Sequence, residues 1–334
     1  MAVTLKDVAE RAGVSRSAVS RTFTEGASVS PKTRKKIEKA AADLGYSPNA
    51  LASSLTTGRT KMIGLVSNNF HNPIFLEVFD LFTRGLQERG LRPLLVNLTD
   101  EIDAENSARL LRQYSVDGVI VASSTLPASF ADTFRKAGVP VVHSFGRHTD
   151  TPSVNVIGIN NISAGQLAAQ TLVARGYKRV GFLGGPRSAT STQDREKGFV
   201  TELADNHPDM IVTTSAASAY SFEAGRAEMQ RLLAAGTPAE AYFCGDDVLS
   251  IGALSAIADA GLKVPEHIGI IGLNDMEMAS WANINLTTIH NPIKDIIAKS
   301  IDLVAAMIAD NTLTPKAHMF DCSVIERGTL RPLP

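Results

Sequence analysis

Residues 3–15 read Val3-Thr4-Leu5-Lys6-Asp7-Val8-Ala9-Glu10-Arg11-Ala12-Gly13-Val14-Ser15. Leu5, Val8, Ala9 and Ala12 recur at i, i+3, i+4 and i+7, so a helix over them has one apolar face. Thr4 and Asp7 have the spacing of a capping box, with Asp in place of the usual Glu. Gly13 stops this helix, and Ser15 caps a second one running to about Phe23. In the second helix Ala18, Val19, Thr22 and Phe23 face inward, and Arg16, Ser17, Ser20 and Arg21 point away. Two short helices around a glycine-containing turn form a helix-turn-helix unit, whose second helix reads DNA in the major groove. Arg16 and Ser17 sit at its N-terminus, where base edges are touched. A guanidinium there clamps guanine O6 and N7, and a hydroxyl donates or accepts. Arg21, one turn on, suits a base or a phosphate. Taken alone, the same residues also suit a plain three-helix bundle with solvated arginines.

Working outward, Ser30-Pro31 opens a third helix as N-cap and first helical residue. Ile37, Ala40, Ala41 and Leu44 line its inner side, and Lys32, Arg34, Lys35, Lys36 and Lys39 decorate the outside until Gly45. Tyr46-Ser47-Pro48-Asn49 is a break, after which Asn49 caps a short helix over 50–57 that Gly58 ends. So short a helix is unstable alone, yet Leu51 and Leu55 make it more than a linker. Residues 1–60 hold ten Lys and Arg against five Asp and Glu, within a chain of net charge −1, so the remainder is acidic. A basic head on an acidic body is the charge outline of a nucleic-acid-binding module joined to something else.

The opening stretch, together with Ala18-Val19-Ser20-Arg21 and Leu44-Gly45-Tyr46-Ser47-Pro48-Asn49-Ala50-Leu51-Ala52 leading to Leu55, resembles the LacI/GalR family of bacterial transcription regulators. The resemblance extends over essentially the whole chain. It implies DNA contacts from Thr4, Leu5, Ser15, Arg16, Ser17, Ser20, Arg21, Asn49, Ala52, Ser53 and Leu55. It also implies paired hinge helices that fold on DNA, with Leu55 wedged into the minor groove at the operator centre. Such wedges unstack a base step and bend the duplex. Two departures stand out: Ser53 occupies a place where the family often has Arg, and Thr24 one where many members carry Asn.

From Lys61 the pattern becomes strand and helix in alternation, which means parallel sheets covered by helices on both faces. The first series runs from strand 62–67 to strand 140–144, and a second starts near Ile159 and runs to strand 268–273. A helix over 292–309 and a last strand over 318–325 return to complete the lobes. Ligands in such sheets sit beyond the carboxyl ends of the strands. The expected fold is therefore α/β: an N-terminal all-α helix-turn-helix head with a hinge helix, then a two-lobed core resembling periplasmic binding proteins, built of doubly wound parallel sheets. The expected divisions are 1–46 for the head, 47–60 for the hinge and linker, 61–158 plus 291–317 for one lobe, and 159–290 plus 318–334 for the other.

That rule and the resemblance together nominate Phe75, Asn160, Ser191, Arg195, Tyr220, Asp246 and Asn274 as effector contacts. Phe75 and Tyr220 would flank a ring, with the polar groups along its edge, as for a sugar or sugar-like metabolite. Each Asn or Asp also suits helix capping. Many members have Asp where this chain has Phe145, Asn160 and Asn274, and Asn where it has Asp246. The resemblance thus implies an effector unlike that of the well-known sugar repressors. His143, on a strand, reads as a packed core histidine.

Composition narrows the alternatives. The chain has 334 residues, 44% hydrophobic and 20% charged, enough for two or three cored domains. Its longest apolar runs, such as Val116–Val121 and Ile268–Leu273, are too short to span a bilayer. Residues 1–20 are charged throughout and lack a signal-peptide core, which argues against an exported binding protein. Cys244 and Cys322 lie far apart without a Cys/His cluster, so no disulfide scaffold or metal site is expected, and a reducing cytoplasm is. No dinucleotide, phosphate-loop or zinc-protease motif occurs, and Ser123-Ser124 joins no triad, so neither an enzyme nor a cofactor is expected. The expected partners are double-stranded operator DNA, a small effector and a second copy of the chain, as homodimer or tetramer, with no membrane.

Overall fold

A computed structural model describes residues 3–24, 26–49, 54, 58–68, 70–98, 104–236, 238–310 and 312–334. The chain divides into two compact units, Met1–Lys61 and Met62–Pro334. In the first, α1 (Leu5–Ala12), α2 (Arg16–Thr22) and α3 (Pro31–Leu44) enclose a small core of Val8, Ala9, Val19, Ile37, Ala40 and Ala41. The capping box forms: Thr4 N–H donates to Asp7 Oδ2 at 2.8 Å, and Asp7 N–H donates to Thr4 Oγ1. Those bonds from Thr4 hold the Asp7 carboxyl below the usual carboxylate range. Gly13 and Gly45 close α1 and α3 in the left-handed conformation that a side chain would strain. Arg34 departs from expectation. Instead of decorating the outside of α3, it donates from Nη1 to Thr22 O at 2.7 Å, satisfying a carbonyl at the end of α2.

Among its described residues the second unit has twelve strands. They are β1 (Met62–Ser67), β2 (Arg92–Asn97), β3 (Gly118–Ala122), β4 (Val141–Ser144), β5 (Asn155–Ile159), β6 (Arg179–Gly184), β7 (Ile211–Ala216), β8 (Ala241–Cys244), β9 (Gly269–Asn274), β10 (Thr288–His290), β11 (Ala317–Phe320) and β12 (Ser323–Ile325). The helices between them are α4 (Ile74–Glu88), α5 (Ala104–Gln113), α6 (Ala128–Lys136), α7 (Asn161–Ala174), α8 (Thr190–Asn206), α9 (Phe222–Ala234), α10 (Asp247–Asp259) and α11 (Ile293–Ala309). Two six-stranded sheets result, ordered β11-β5-β4-β3-β1-β2 and β12-β10-β9-β8-β6-β7. Every pairing is parallel except β10 with β12.

Both faces of each sheet are covered, so its central strands are apolar on both sides, while the edge strands β2 and β7 are partly exposed. In β3, Ile120 and Ala122 enter the core under α4 and α11, while Val119 and Val121 enter the one under α5 and α6. In the other sheet, Val180 and Phe182 of β6 point one way and Leu183 the other, between the α7–α8 and α9–α10 pairs. The last strand, expected over 318–325, is two strands. Ala317–Phe320 pairs with β5 in the first sheet, and Ser323–Ile325 pairs with β10 in the second. A continuous apolar-alternating run carries no mark of such a change of sheet, which the two-residue step at 321–322 makes. Likewise the strand ending at Ile159 lies within the first sheet, between β4 and β11, instead of opening the second. Among the described residues no helix is long and apolar enough to cross a membrane.

Candidate functional site

The head presents one polar face. Arg16, Ser17, Ser20 and Arg21 are exposed along α2, opposite the buried Val19 and Thr22. Among the described residues neither arginine has an ion-pair partner. Ser15 caps α2 by accepting from Ala18 N–H at 3.2 Å, and its hydroxyl meets that of Ser17 at 2.9 Å. Thr4 is exposed with its N–H and hydroxyl both given to Asp7, and Leu5 is half-buried against the head's core. Asn49 is exposed. The hinge helix expected over 50–57, with Ala52, Ser53 and Leu55, lies outside the described residues apart from Ser54.

In the second unit a narrow cleft opens between the ends of the two sheets. Phe75, Arg195, Tyr220, Asp246 and Asn274 all line it. Asn160 does not. It is the N-cap of α7, accepting from Ile162 N–H at 3.0 Å, and the next residue, Asn161, takes its place on the wall. Ser191 is buried behind the wall with its hydroxyl 3.1 Å from that of Tyr220, because it lies inside the first turn of α8, which starts at Thr190. Thr192 also meets the Tyr220 hydroxyl, at 2.7 Å, so Tyr220 shows the cleft its ring and not its hydroxyl. A Cβ on Gly185 would lie 2.5 Å from that ring, so Gly185 gives it room.

Arg195 is 3% exposed. It donates from Nε to Asn161 Oδ1 at 2.8 Å and from a terminal nitrogen to Gly245 O. Asp246 caps α10 through Val248 N–H at 2.9 Å and accepts from Asn274 at 2.9 Å and from Asn72 at 3.0 Å. Asn72, from the loop after β1, also starts α4 by accepting from Ile74 N–H. The Asn72–Asp246 bond therefore ties one lobe to the other. Two further ties join the lobes. Arg147, beyond β4, forms a two-pronged ion pair with Asp194 of α8. The first turn of α8, which has no side-chain cap of its own, donates from Ser191 N–H and Thr190 Oγ1 to Ser124 O, at 3.2 and 3.1 Å. Sequence reasoning passed over Asn72, Asn161 and Asn291 as cleft residues. The Asn-Pro pair before α4 was the available signal for the first.

Two adjacent carboxyls are fully buried here. Burial pushes the Asp247 carboxyl up to about 7, against the donors Thr288 Oγ1 (2.6 Å) and Met276 N–H (2.8 Å), and the Asp246 and Asp275 carboxylates push it further. Burial likewise pushes Asp246 up to about 6, against its own hydrogen bonds and Arg195. Above its ordinary range such an acid keeps its proton in the folded state after the unfolded chain has lost it. The folded state then binds more protons, and stability falls as pH rises. The contribution of Asp247 is thus expected to decline between about pH 4 and 7 and to stay level above that. Asp247→Asn, whose amide can be served by a turned Thr288 hydroxyl, should gain stability relative to wild type across that window in urea titrations. An unchanged difference from pH 4 to 7 would refute the buried, protonated carboxyl. His143 is buried with Nε2 3.0 Å from Ser123 O, and burial lowers it to about 4, so it is a neutral core residue.

With this geometry in hand, residues 4–49 match the family described as bacterial regulatory proteins, lacI family, and residues 169–330 match a periplasmic binding protein-like domain. The chain is 30% identical to the HTH-type transcriptional repressor CytR of Escherichia coli (strain K12), covering 100% of this chain and 98% of that protein. It is 32% identical to the ribose operon repressor of the same strain, over 98% of this chain and 99% of the relative. Among solved structures, the lac repressor dimer bound to operator and the anti-inducer ONPF superposes with a TM-score of 0.86 at 26% identity, over 98% of this chain and 99% of that one.

Proposed function

Because the chain belongs to the lacI family of bacterial regulatory proteins, and so is a DNA-binding transcriptional regulator, we propose that it is a cytoplasmic repressor switched by a small polar effector. It binds a near-palindromic operator as a homodimer, each head reading one half-site through Arg16, Ser17, Ser20 and Arg21, positioned by contacts from Thr4, Leu5, Ser15 and Asn49. Residues 47–60 form the hinge, where Ala52, Ser53 and Leu55 meet the minor groove. The effector, a sugar or related metabolite, sits between the lobes against Phe75, Arg195, Tyr220, Asp246 and Asn274. Asn160 and Ser191 support it from the layer behind, one as a helix cap and one through Tyr220. The chain acts by binding, with no catalysis and no cofactor.

The observation that carries this reading is the cleft itself: the lobes meet through direct bonds across a space lined by a buried, partly committed arginine. A ligand that favours one lobe arrangement over another shifts operator affinity by that difference and no more. The test is a gel shift against fragments of the upstream regions of the source genome, repeated across salt concentrations. Phosphate contacts release counterions, so affinity should fall steeply, by roughly 10³ or more between 50 and 200 mM salt if about six phosphates are neutralised. Binding that ignores salt, or that is as tight to random duplexes, would remove the operator-reading role.

A further inference from the structure

Phe145 follows β4 with a φ of 63°, in the left-handed region where a bulky side chain is an outlier. The turn is held hard in place. Phe145 N–H donates to Ile157 O at 2.6 Å, and a Cβ on Gly158 would lie 3.3 Å from Phe145 Cα. A Cβ on Gly146 would lie 2.8 Å from the buried His143 ring. Such a turn favours glycine or asparagine, yet the chain places here an aromatic ring that packs only partly against the core. The ring lines the cleft, in company with Phe75, Ile159 and Ile293. All four stand on loops, strands or helices of the first sheet and its cover. The opposite wall carries Asn161, Arg195, Asp246 and Asn274. Asn72 and Ser124 add polar groups from the first lobe, so the cleft combines an apolar patch around Phe145 with hydrogen-bonding groups on the rest of its wall. Asn291, only 7% exposed on the cleft wall, has an Oδ1 with no hydrogen-bond partner among the described residues, and so calls for a donor.

We propose that Phe145 is a specificity-determining residue of the cleft, selecting effectors that join a planar, unsaturated ring to a part rich in N–H or O–H donors over bare polyhydroxylated sugars. This rests on the cleft being the effector site. A sugar has hydroxyls around its rim, and those turned toward Phe145, Ile159 and Ile293 would lose water and gain no partner. A planar ring loses nothing on that side and gains contact with an aromatic face. A base-bearing sugar and an aryl glycoside share this chemistry.

The experiment is calorimetric titration of the full-length protein with matched probes: D-ribose against uridine and adenosine, and D-glucose against para-nitrophenyl glucoside. At least one ring-bearing probe should bind about ten-fold more tightly than its ring-free partner. Phe145→Asn, which suits the turn, should erase most of that ratio while operator binding persists, and Phe145→Leu, which keeps apolar volume without a planar face, should reduce it. A ring-free sugar binding as tightly as its ring-bearing partner, or no binding by any ring-bearing probe, overturns the proposal. In the former case the cleft stands if Arg195→Ala loses that sugar. A ring-bearing probe bound equally by wild type, Arg195→Ala and Phe145→Asn overturns the proposal together with the cleft reading beneath it.

Discussion

Arg195→Ala is expected to abolish the effector response while leaving a folded, operator-binding protein. Among the described residues the guanidinium is the one cation on the cleft wall, and two of its donors go to Asn161 and Gly245. Charge-assisted hydrogen bonds to a ligand in such a setting are worth about 1.5–3 kcal/mol each, so losing two weakens binding by about 100-fold or more. The fold bears a separate cost. Asn161 Oδ1 and Gly245 O each forfeit a donor, a cost of about 1–3 kcal/mol apiece beside a total stability of about 5–15 kcal/mol. A repressor released by its effector would stay on the operator in this variant, and one that needs its effector would stay off. Calorimetry and a gel shift with and without effector read both quantities, and wild-type ligand affinity would remove Arg195 from the site. Asp246→Ala is the poorer companion. Asp246 caps α10 and holds Asn72 of the other lobe, so its loss disturbs the ligand-free arrangement as well as the ligand.

Arg16→Ala should weaken operator binding by about 10- to 100-fold, the worth of one bidentate base contact at about 1–3 kcal/mol, and relax preference at one base pair of each half-site. The side chain is exposed on α2, away from the head's core, so no loss of folding accompanies the change. Affinity for random duplexes should move little, because their binding rests on phosphates. An equal fall for operator and random DNA would make Arg16 a backbone contact and pass base reading to Ser17, Ser20 or Arg21.

The head was legible because its signals are local. A capping box, a glycine stop and an apolar repeat each lie within a dozen residues, and α1 and α2 form where they say. Arg34 escaped because only the packed structure brings it to the end of α2. The rule that ligands gather beyond strand ends, taken with the family resemblance, nominated Phe75, Arg195, Tyr220, Asp246 and Asn274, and all five line a single cleft. It failed by one residue at Asn160, where two successive asparagines compete to cap α7 and the first wins. It misjudged Ser191 because α8 takes its first partners from the other lobe, and such a helix start leaves no capping residue in the sequence. Phe145 was visible only as a departure, since a positive φ on an aromatic residue has no compositional mark.

The pairing of β11 with β5 has a consequence for the making of the protein. Residues 317–320 complete an edge of a sheet whose other strands all lie between 62 and 159. During synthesis the head can close on contacts made within its first few dozen residues, whereas that edge waits for nearly the whole chain to leave the ribosome. At about 5–20 residues per second the interval from Ile159 to Ala317 lasts on the order of ten to thirty seconds. Until then β5 shows an unpaired parallel edge, the kind of surface that templates wrong partners. The same stretch finishes both lobes, the first sheet at Phe320 and the second at Ile325, so loss of residues 317–325 should strip an edge strand from each.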